Sequence, residues 1–321
     1  MNSHSKLLFF AESGGMLPVF IEGRITMSQG VPYSASQQDL FYPAKNLDNF
    51  PTQPPKTDAE LCAWMSLLAY CDKDPDDDFA LDQDRIKQKL APLGFKPTGF
   101  FESQGNEKNG GTHCFIAFHD DPVKANKLAV VAFRGTDADD PTDLLDDAEA
   151  NLVNCNGKGQ VFDGFKGALE DVQEELFPAV QALDCRTLFT GHSLGAALAT
   201  LLATVKAPSA LYTIGSPRVG DHDFVASLAG VKSFRYVDCC DIVTQMPPAL
   251  FGYAHLGDPY YIDRNRQMSL NPSDDFISSD RLRASADYLL QYAWKSGNVA
   301  VRDLADHAPI NYVTAIAAAQ P

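Results

Sequence analysis

A mostly parallel β-sheet with helices on both faces is the fold class this α/β sequence predicts, and three observations predict it. Leu128-Ala129-Val130-Val131-Ala132-Phe133 is a continuous apolar run, the pattern of a strand buried on both faces. Apolar residues next recur at helical spacing through Phe165, Leu169, Val172, Leu176 and Val180. From there on, strand-like and helix-like segments alternate, which is the order that builds a parallel sheet with crossover helices.

Taken from the N-terminus, residues 1–57 read as an appended arm. Leu17 to Ile25 alternates well enough for a hairpin strand, and the Pro-rich stretch from Phe50 to Asp58 then breaks regular structure. The main domain is placed at 58–321. Asp58 is read as the N-cap of a helix through Leu61, Trp64, Leu67, Leu68 and Cys71, and the acidic run Asp72 to Asp78 as the solvated loop that ends it. The helix over 165–183 is followed by a short strand, Thr187-Leu188-Phe189-Thr190, that leads straight into Gly191. Ala196 to Val205 is Ala- and Leu-rich and reads as helix. Ala210 to Gly215 and Ser233 to Val237 supply two further strands, and no internal repeat is visible.

Composition narrows the function. The chain has 321 residues, 45% hydrophobic, enough for a full core. Its net charge of −16 excludes counterion-driven nucleic-acid binding and disfavours anionic membrane surfaces. No stretch reaches the ~20 apolar residues of a membrane span. The seven cysteines are odd in number and irregularly spaced, without a Cys-x-x-Cys pair. They read as buried free thiols rather than as zinc ligands or a disulfide framework, which favours a reducing, cytoplasmic setting, with export by an unsignalled route left open. Neither a metal nor an organic cofactor is expected.

The chemistry is concentrated in Gly191-His192-Ser193-Leu194-Gly195, set between an apolar strand and an Ala-rich helix. Gly-x-Ser-x-Gly in that context marks a tight strand-to-helix turn that presents a serine hydroxyl at the carboxyl edge of an α/β-hydrolase sheet. A serine nucleophile needs a base, and the base an orienting carboxylate, in the chain order Ser, acid, His. His222, His255 and His307 follow Ser193, and His307, just before the final apolar helix, is the best placed. Asp241 and its rival Asp238 both stand at the end of the strand that begins at Ser233.

At this point the sequence resembles the class 3 lipases, the family of fungal triacylglycerol lipases and their bacterial and plant relatives. The resemblance is carried, in order, by Val131 to Thr136, Val161-Phe162-Asp163-Gly164-Phe165, Ile214 to Gly220, Asp241 to Pro248, and Asp306-His307-Ala308-Pro309-Ile310-Asn311-Tyr312. It spans roughly residues 58 to 317. It implies a Ser193–Asp241–His307 triad, selecting Asp241 over Asp238, and an oxyanion hole made by Thr136 (N–H and hydroxyl) and the Leu194 N–H. It also implies a lipid or small ester as substrate, cleaved through an acyl-enzyme, with at most transient contact to a lipid surface.

The sequence departs from the family in three places. Where the fungal enzymes carry an apolar lid helix, Asp137 to Asp147 holds six aspartates, and Leu144 stands where many relatives have tryptophan. This segment is read as a solvated acidic face, too polar to anchor at an oil surface, so that soluble or micellar esters would be turned over without marked interfacial activation. Phe162 replaces a histidine common in its block. The interval from Asp241 to His307 is long and includes Tyr288-Leu289-Leu290-Gln291-Tyr292-Ala293-Trp294, read as core in preference to a second cover over the acyl pocket. A phospholipase A1, a feruloyl-type esterase and a non-catalytic lipid-binding protein remain as alternatives on the same fold.

Overall fold

The computed structural model describes residues 32–73, 80–103, 111–136 and 151–319. The chain divides into two units, Met1–Val31 and Pro32–Pro321. The first unit, with the strand expected over Leu17 to Ile25, lies outside the described residues; so do most of the acidic run after Asp72 and the whole segment 137–150 on which the lid expectation falls.

Within the second unit the main sheet runs β1 (Phe95–Glu102), β2 (His113–His119), β3 (Leu128–Phe133), β6 (Arg186–His192), β7 (Ala210–Ile214), β9 (Ser233–Asp238), β11 (Pro259–Ile262) and β12 (Met268–Leu270). The pairs from β3 to β11 are all parallel. Antiparallel pairs flank them on both sides. A small antiparallel sheet holds β10 (Tyr253–Ala254), β8 (Gly220–Asp221), β5 (Gln160–Phe162) and β4 (Leu152–Asn154). β3 is buried from Ala129 to Phe133 and β7 along its whole length, as coverage on both faces requires.

Residues 32–57, the described part of the expected arm, belong to this unit. They form α1 (Gln37–Phe41) and a 3-10 segment over Pro43–Asn49 that buries Leu47. The Asn311 side chain accepts from the Ser34 N–H and donates to its carbonyl, both at 2.8 Å. α2 (Asp58–Leu68) is capped by Thr57 rather than Asp58: the Thr57 hydroxyl accepts the Glu60 N–H at 3.1 Å. Asp58 instead occupies the first turn, where its charge complements the helix dipole. α2 packs against β6 and the C-terminal helix, which explains why its last eight residues are all buried. α3 (Gln83–Leu90) precedes β1.

The helix expected over 165–183 is two, α4 (Asp163–Glu170) and α5 (Gln173–Gln181). The chain leaves helical geometry at Val172, φ −119° and ψ 3°, and this break keeps Leu169, Val172 and Leu176 all buried. α6 (Leu194–Leu202) is buried at every position and α7 (His222–Ser227) follows β8. The reading of residues 288–294 as core is corrected. α8 (Asp274–Gln291) turns Asp280, Ala284 and Tyr288 inward at a spacing of four, and the neighbouring apolar residues fall off that stripe. Leu290 is 77% and Trp294 73% exposed. α9 (Arg302–Ala305) and α10 (Pro309–Ala318) close the described chain. Among the described residues no helix is long and apolar enough to cross a membrane.

Candidate active site

β6 ends at His192 and α6 starts at Leu194, so Ser193 alone makes the turn between them. It does so at φ 57° and ψ −127°, a region that side-chain-bearing residues occupy only under strain of ~1–3 kcal/mol. The flanking glycines make the fold-back sterically feasible. A Cβ on Gly191 would overlap the Gly195 carbonyl, and one on Gly195 would overlap the carbonyl oxygens of Phe133 and Arg134. The end of β3 is thereby brought against the start of α6. Leu194, the first helical residue, has an N–H without an intrahelical acceptor.

Three side chains far apart in sequence meet at this turn. Ser193 Oγ lies 2.9 Å from His307 Nε2, and His307 Nδ1 lies 2.9 and 3.0 Å from the two oxygens of Asp241. All three residues are buried, Asp241 completely. Asp241 Oδ1 also accepts the Val243 N–H at 2.9 Å, and its Oδ2 accepts the Tyr312 hydroxyl at 2.5 Å. With the carboxylate accepting on both oxygens, His307 carries its proton on Nδ1 and leaves Nε2 to accept from Ser193.

His192 is buried directly behind the base, its ring centroid 4.5 Å from that of His307. Burial, reinforced by the neighbouring His307, pushes its pKa well below the ordinary histidine value, so the ring is neutral. Its Nε2–H donates to the His307 carbonyl at 2.9 Å, which leaves Nδ1 to accept the Tyr70 hydroxyl at 2.7 Å. Tyr70 in turn accepts from the Gly135 backbone. A Cβ on Gly135 would fall on the Tyr70 hydroxyl. One buried chain of hydrogen bonds thus ties the loop after β3, the serine turn and the His307 loop together.

Thr136, next along that loop, has a buried Oγ1 with no hydrogen-bond partner among the described residues. Such an atom is costly to bury unless something else satisfies it. The rival residues are engaged elsewhere. Asp238 is held by both oxygens on Arg266, at 2.6 and 2.8 Å, and its N–H donates to the Tyr312 hydroxyl. His255 donates from Nε2 to the Thr244 carbonyl at 2.8 Å, and His222 is exposed at the start of α7.

Among the described residues one group has metal-ligand chemistry, Cys239, Cys240 and Asp306, whose donor atoms lie within 4.8 Å of one another. Asp306 is already saturated there by the Arg302 guanidinium, the Tyr33 hydroxyl and the Cys240 N–H. All seven cysteines are free thiols, and six of them are buried.

Two residues of this centre escape sequence reading. Tyr312 stands five positions after His307 within the segment that carries the resemblance, so its place was visible although its contact with Asp241 was not. Tyr70 meets His192 across 122 positions, a contact that no local pattern encodes.

Residues 130–251 match the family described as Lipase (class 3). The secreted mono- and diacylglycerol lipase 1 of Fusarium solani is 37% identical over 115 residues, covering 32% of this chain and 34% of its own length. The chloroplastic phospholipase A1-Igamma2 of Arabidopsis thaliana is 26% identical over 267 residues, 64% of this chain and 50% of its own. The chain therefore spans between a third and a half of the length of these relatives. The crystal structure of the mono- and diacylglycerol lipase from Aspergillus oryzae superposes with a TM-score of 0.54 at 23% identity, over 68% of this chain and 87% of that one. That likeness establishes the α/β-hydrolase fold. His307 lies beyond the matched span, so its place beside Ser193 rests on the geometry described above. The span that matches the class 3 lipase model, residues 130–251, carries Thr136, Ser193 and Asp241.

Proposed function

We propose that this protein is a serine carboxylic-ester hydrolase that cleaves acylglycerols or related lipid esters through an acyl-enzyme. The observation that carries the reading is the unbroken line from Ser193 Oγ through both nitrogens of His307 to a buried Asp241. His307 Nε2 takes the Ser193 proton as Oγ attacks the ester carbonyl. The resulting imidazolium is stabilised by Asp241, whose carboxylate also fixes the tautomer. His307 then returns the proton to the departing alcohol, and a water activated in the same way hydrolyses the acyl group from Ser193.

The negative oxygen of the tetrahedral intermediate is assigned to the Leu194 N–H together with the N–H and hydroxyl of Thr136. The unpartnered, buried Thr136 Oγ1 supports that assignment, since an oxyanion would supply the missing acceptor. Each such donor contributes about 10²–10³ in kcat in comparable sites. Every residue in this scheme is supplied by the chain itself.

A second reading, hydrolysis of phospholipid acyl esters, is favoured by the Arabidopsis relative, whose match covers 64% of this chain. Fluorophosphonate labelling of the wild type, lost in Ser193→Ala, tests the hydrolase itself. Parallel assay on a monoacylglycerol and on phosphatidylcholine separates the two substrate readings. Absence of labelling in the folded wild type would overturn both.

A further inference from the structure

The loop after β9 that carries Asp241 has a second face, and it looks onto an open cleft of about 640 Å³. The lining includes Arg218, Arg235 and Arg281 with Thr244, Gln245 and Asn271, and none of Ser193, Thr136, Asp241 or His307. Three elements contribute the arginines. Arg218 follows β7, Arg235 projects from β9, and Arg281 comes from the first half of α8.

Their partners are all neutral. Arg218 Nη1 donates to the carbonyls of Gln245 and Pro247. Arg235 Nε donates to the Gly257 carbonyl at 3.2 Å. Arg281 donates from Nε to the Cys239 carbonyl at 2.7 Å and from Nη1 to Gln245 Oε1 at 3.1 Å. Most of the other described arginines are treated differently. Arg134, Arg186, Arg264, Arg266 and Arg302 each face a carboxylate within ion-pair distance. In a protein with 42 acidic residues against 26 basic ones, three clustered guanidiniums without such a partner stand apart.

The two acids on the cleft, Asp258 and Asp274, are both exposed and make no ion pair with these arginines. The cluster feels its own charge. Arg235 is 9% exposed, and burial followed by the charge of Arg218, opposed more weakly by Asp258, pushes its pKa down to about 10. Burial and then Arg235 and Arg218 hold His255, on the same wall, well below the usual histidine value. Remaining guanidinium donors keep solvent access, since no nitrogen of the three is both buried and unpartnered.

We infer that this cleft is a binding site for a phosphate group, clasped by Arg218, Arg235 and Arg281. A phosphate monoester carries about −1.5 to −2 charges and three acceptor oxygens. It can therefore meet guanidinium forks arriving from three elements, which the two coplanar oxygens of a monoanionic carboxylate cannot. The cleft is larger than a bare phosphate, leaving space for the organic part of an ester. That group comes either from a small phosphate in solution or from the headgroup of an anionic phospholipid. Gln245 links the cleft to the catalytic loop, holding Arg281 through Oε1 while its Nε2 donates to the Cys240 and Asp241 carbonyls at 3.4 Å.

The test is direct binding on the full chain, measured without ester turnover and so independent of the hydrolase reading. Calorimetric titration with inorganic phosphate and with acetate at equal ionic strength forms one arm. Co-sedimentation with phosphatidylcholine vesicles, with and without phosphatidic acid, forms the other. The expected result is saturable binding in at least one arm, selective for phosphate over acetate or for vesicles containing phosphatidic acid. It should weaken about tenfold or more in Arg281→Gln and in Arg235→Gln, from the loss of one charged hydrogen bond each. Solution binding identifies a soluble source, and binding confined to phosphatidic acid vesicles identifies a headgroup. Should Arg235→Gln fail to fold, Arg281→Gln, at a half-buried helical position, carries the comparison alone. No binding in either arm, or binding that Arg281→Gln leaves unchanged, overturns the site.

Discussion

The loop from Cys239 to Pro247 separates two regions of opposite polar economy. On its triad side nearly every buried polar atom is matched: Asp241 accepts three hydrogen bonds, His307 uses both ring nitrogens, and His192 uses both of its own. On its other side three arginines have only neutral acceptors and line an open cleft. A matched, water-poor centre is already organised for the charge its own reaction creates. An unmatched one is organised for charge that must arrive from outside. Thr136 Oγ1, unpartnered among the described residues, fits the same rule, because the charge it awaits is the one developed on the substrate.

The largest effect is expected where matching is tightest. Asp241→Asn keeps the shape of the side chain and an oxygen able to accept from Tyr312, but it removes the charge that balances the imidazolium and the acceptor that fixes the His307 tautomer. We expect kcat on a short-chain ester to fall about 10⁴-fold, with thermal stability little changed. A fall of less than tenfold in a well-folded variant would mean that the matched centre is not the reacting one.

A smaller effect should follow from the two tyrosines that the sequence left unassigned. Tyr312→Phe removes the donor to Asp241 Oδ2 and the acceptor of the Asp238 N–H, both buried. It should cost about 1–3 kcal/mol of stability, read from denaturant midpoints. Because Tyr312 acts by holding Asp241, kcat should fall several-fold while KM stays near the wild-type value. Tyr70→Phe breaks the link between Gly135 and His192, so it should show the same split through a displaced Thr136. If KM rises and kcat is retained in both variants, these tyrosines only shape the pocket and the hydrogen-bonded chain has no part in catalysis.

How much of this was legible beforehand depended on how local each signal is. β3 could be read because a strand covered on both faces leaves an uninterrupted apolar run, and β6, β7 and β9 because short strand-like segments alternate there with helical ones. β1 was not, since Pro97 and Gly99 interrupt an edge strand that alternates buried and exposed positions. β12 was not either, being three residues with none of them buried. Ser193 announced itself because its tight turn is sterically feasible only with glycines two positions away on each side. Asp241 and His307 are separated from their partners by 66 and 114 positions; His307 could be picked by its place before the last helix, but choosing Asp241 over Asp238 needed the resemblance. Three arginines drawn from separate elements left no pattern at all, because charge clustering across β7, β9 and α8 exists only after folding.

The same contrast bears on acid stability, where the expected effect is smaller still. His113 is buried beside β3 with an Nδ1 that has no partner among the described residues, and burial, aided by Arg134, pushes its pKa down to about 4. In the unfolded chain a histidine titrates near 6.5. Between those values the unfolded state holds a proton that the folded state refuses, so stability falls as pH is lowered through this window, and above it the contribution vanishes. The slope from one such histidine is at most ~1.4 kcal/mol per pH unit. Carboxylates such as Asp72, raised by burial, act in the opposite sense, so the informative quantity is the difference between wild type and His113→Gln. Urea midpoints at pH 7, 6 and 5 should show the variant losing less stability on acidification. His255→Gln should flatten the profile too, because burial holds the pKa of that ring down and part of its depression comes from Arg235 and Arg218. An anion in the cleft would remove that part, so added phosphate should shrink the His255 contribution and leave that of His113 untouched. Equal responses of the two histidines to phosphate would erase the distinction between a cleft that awaits charge and an interior that excludes it.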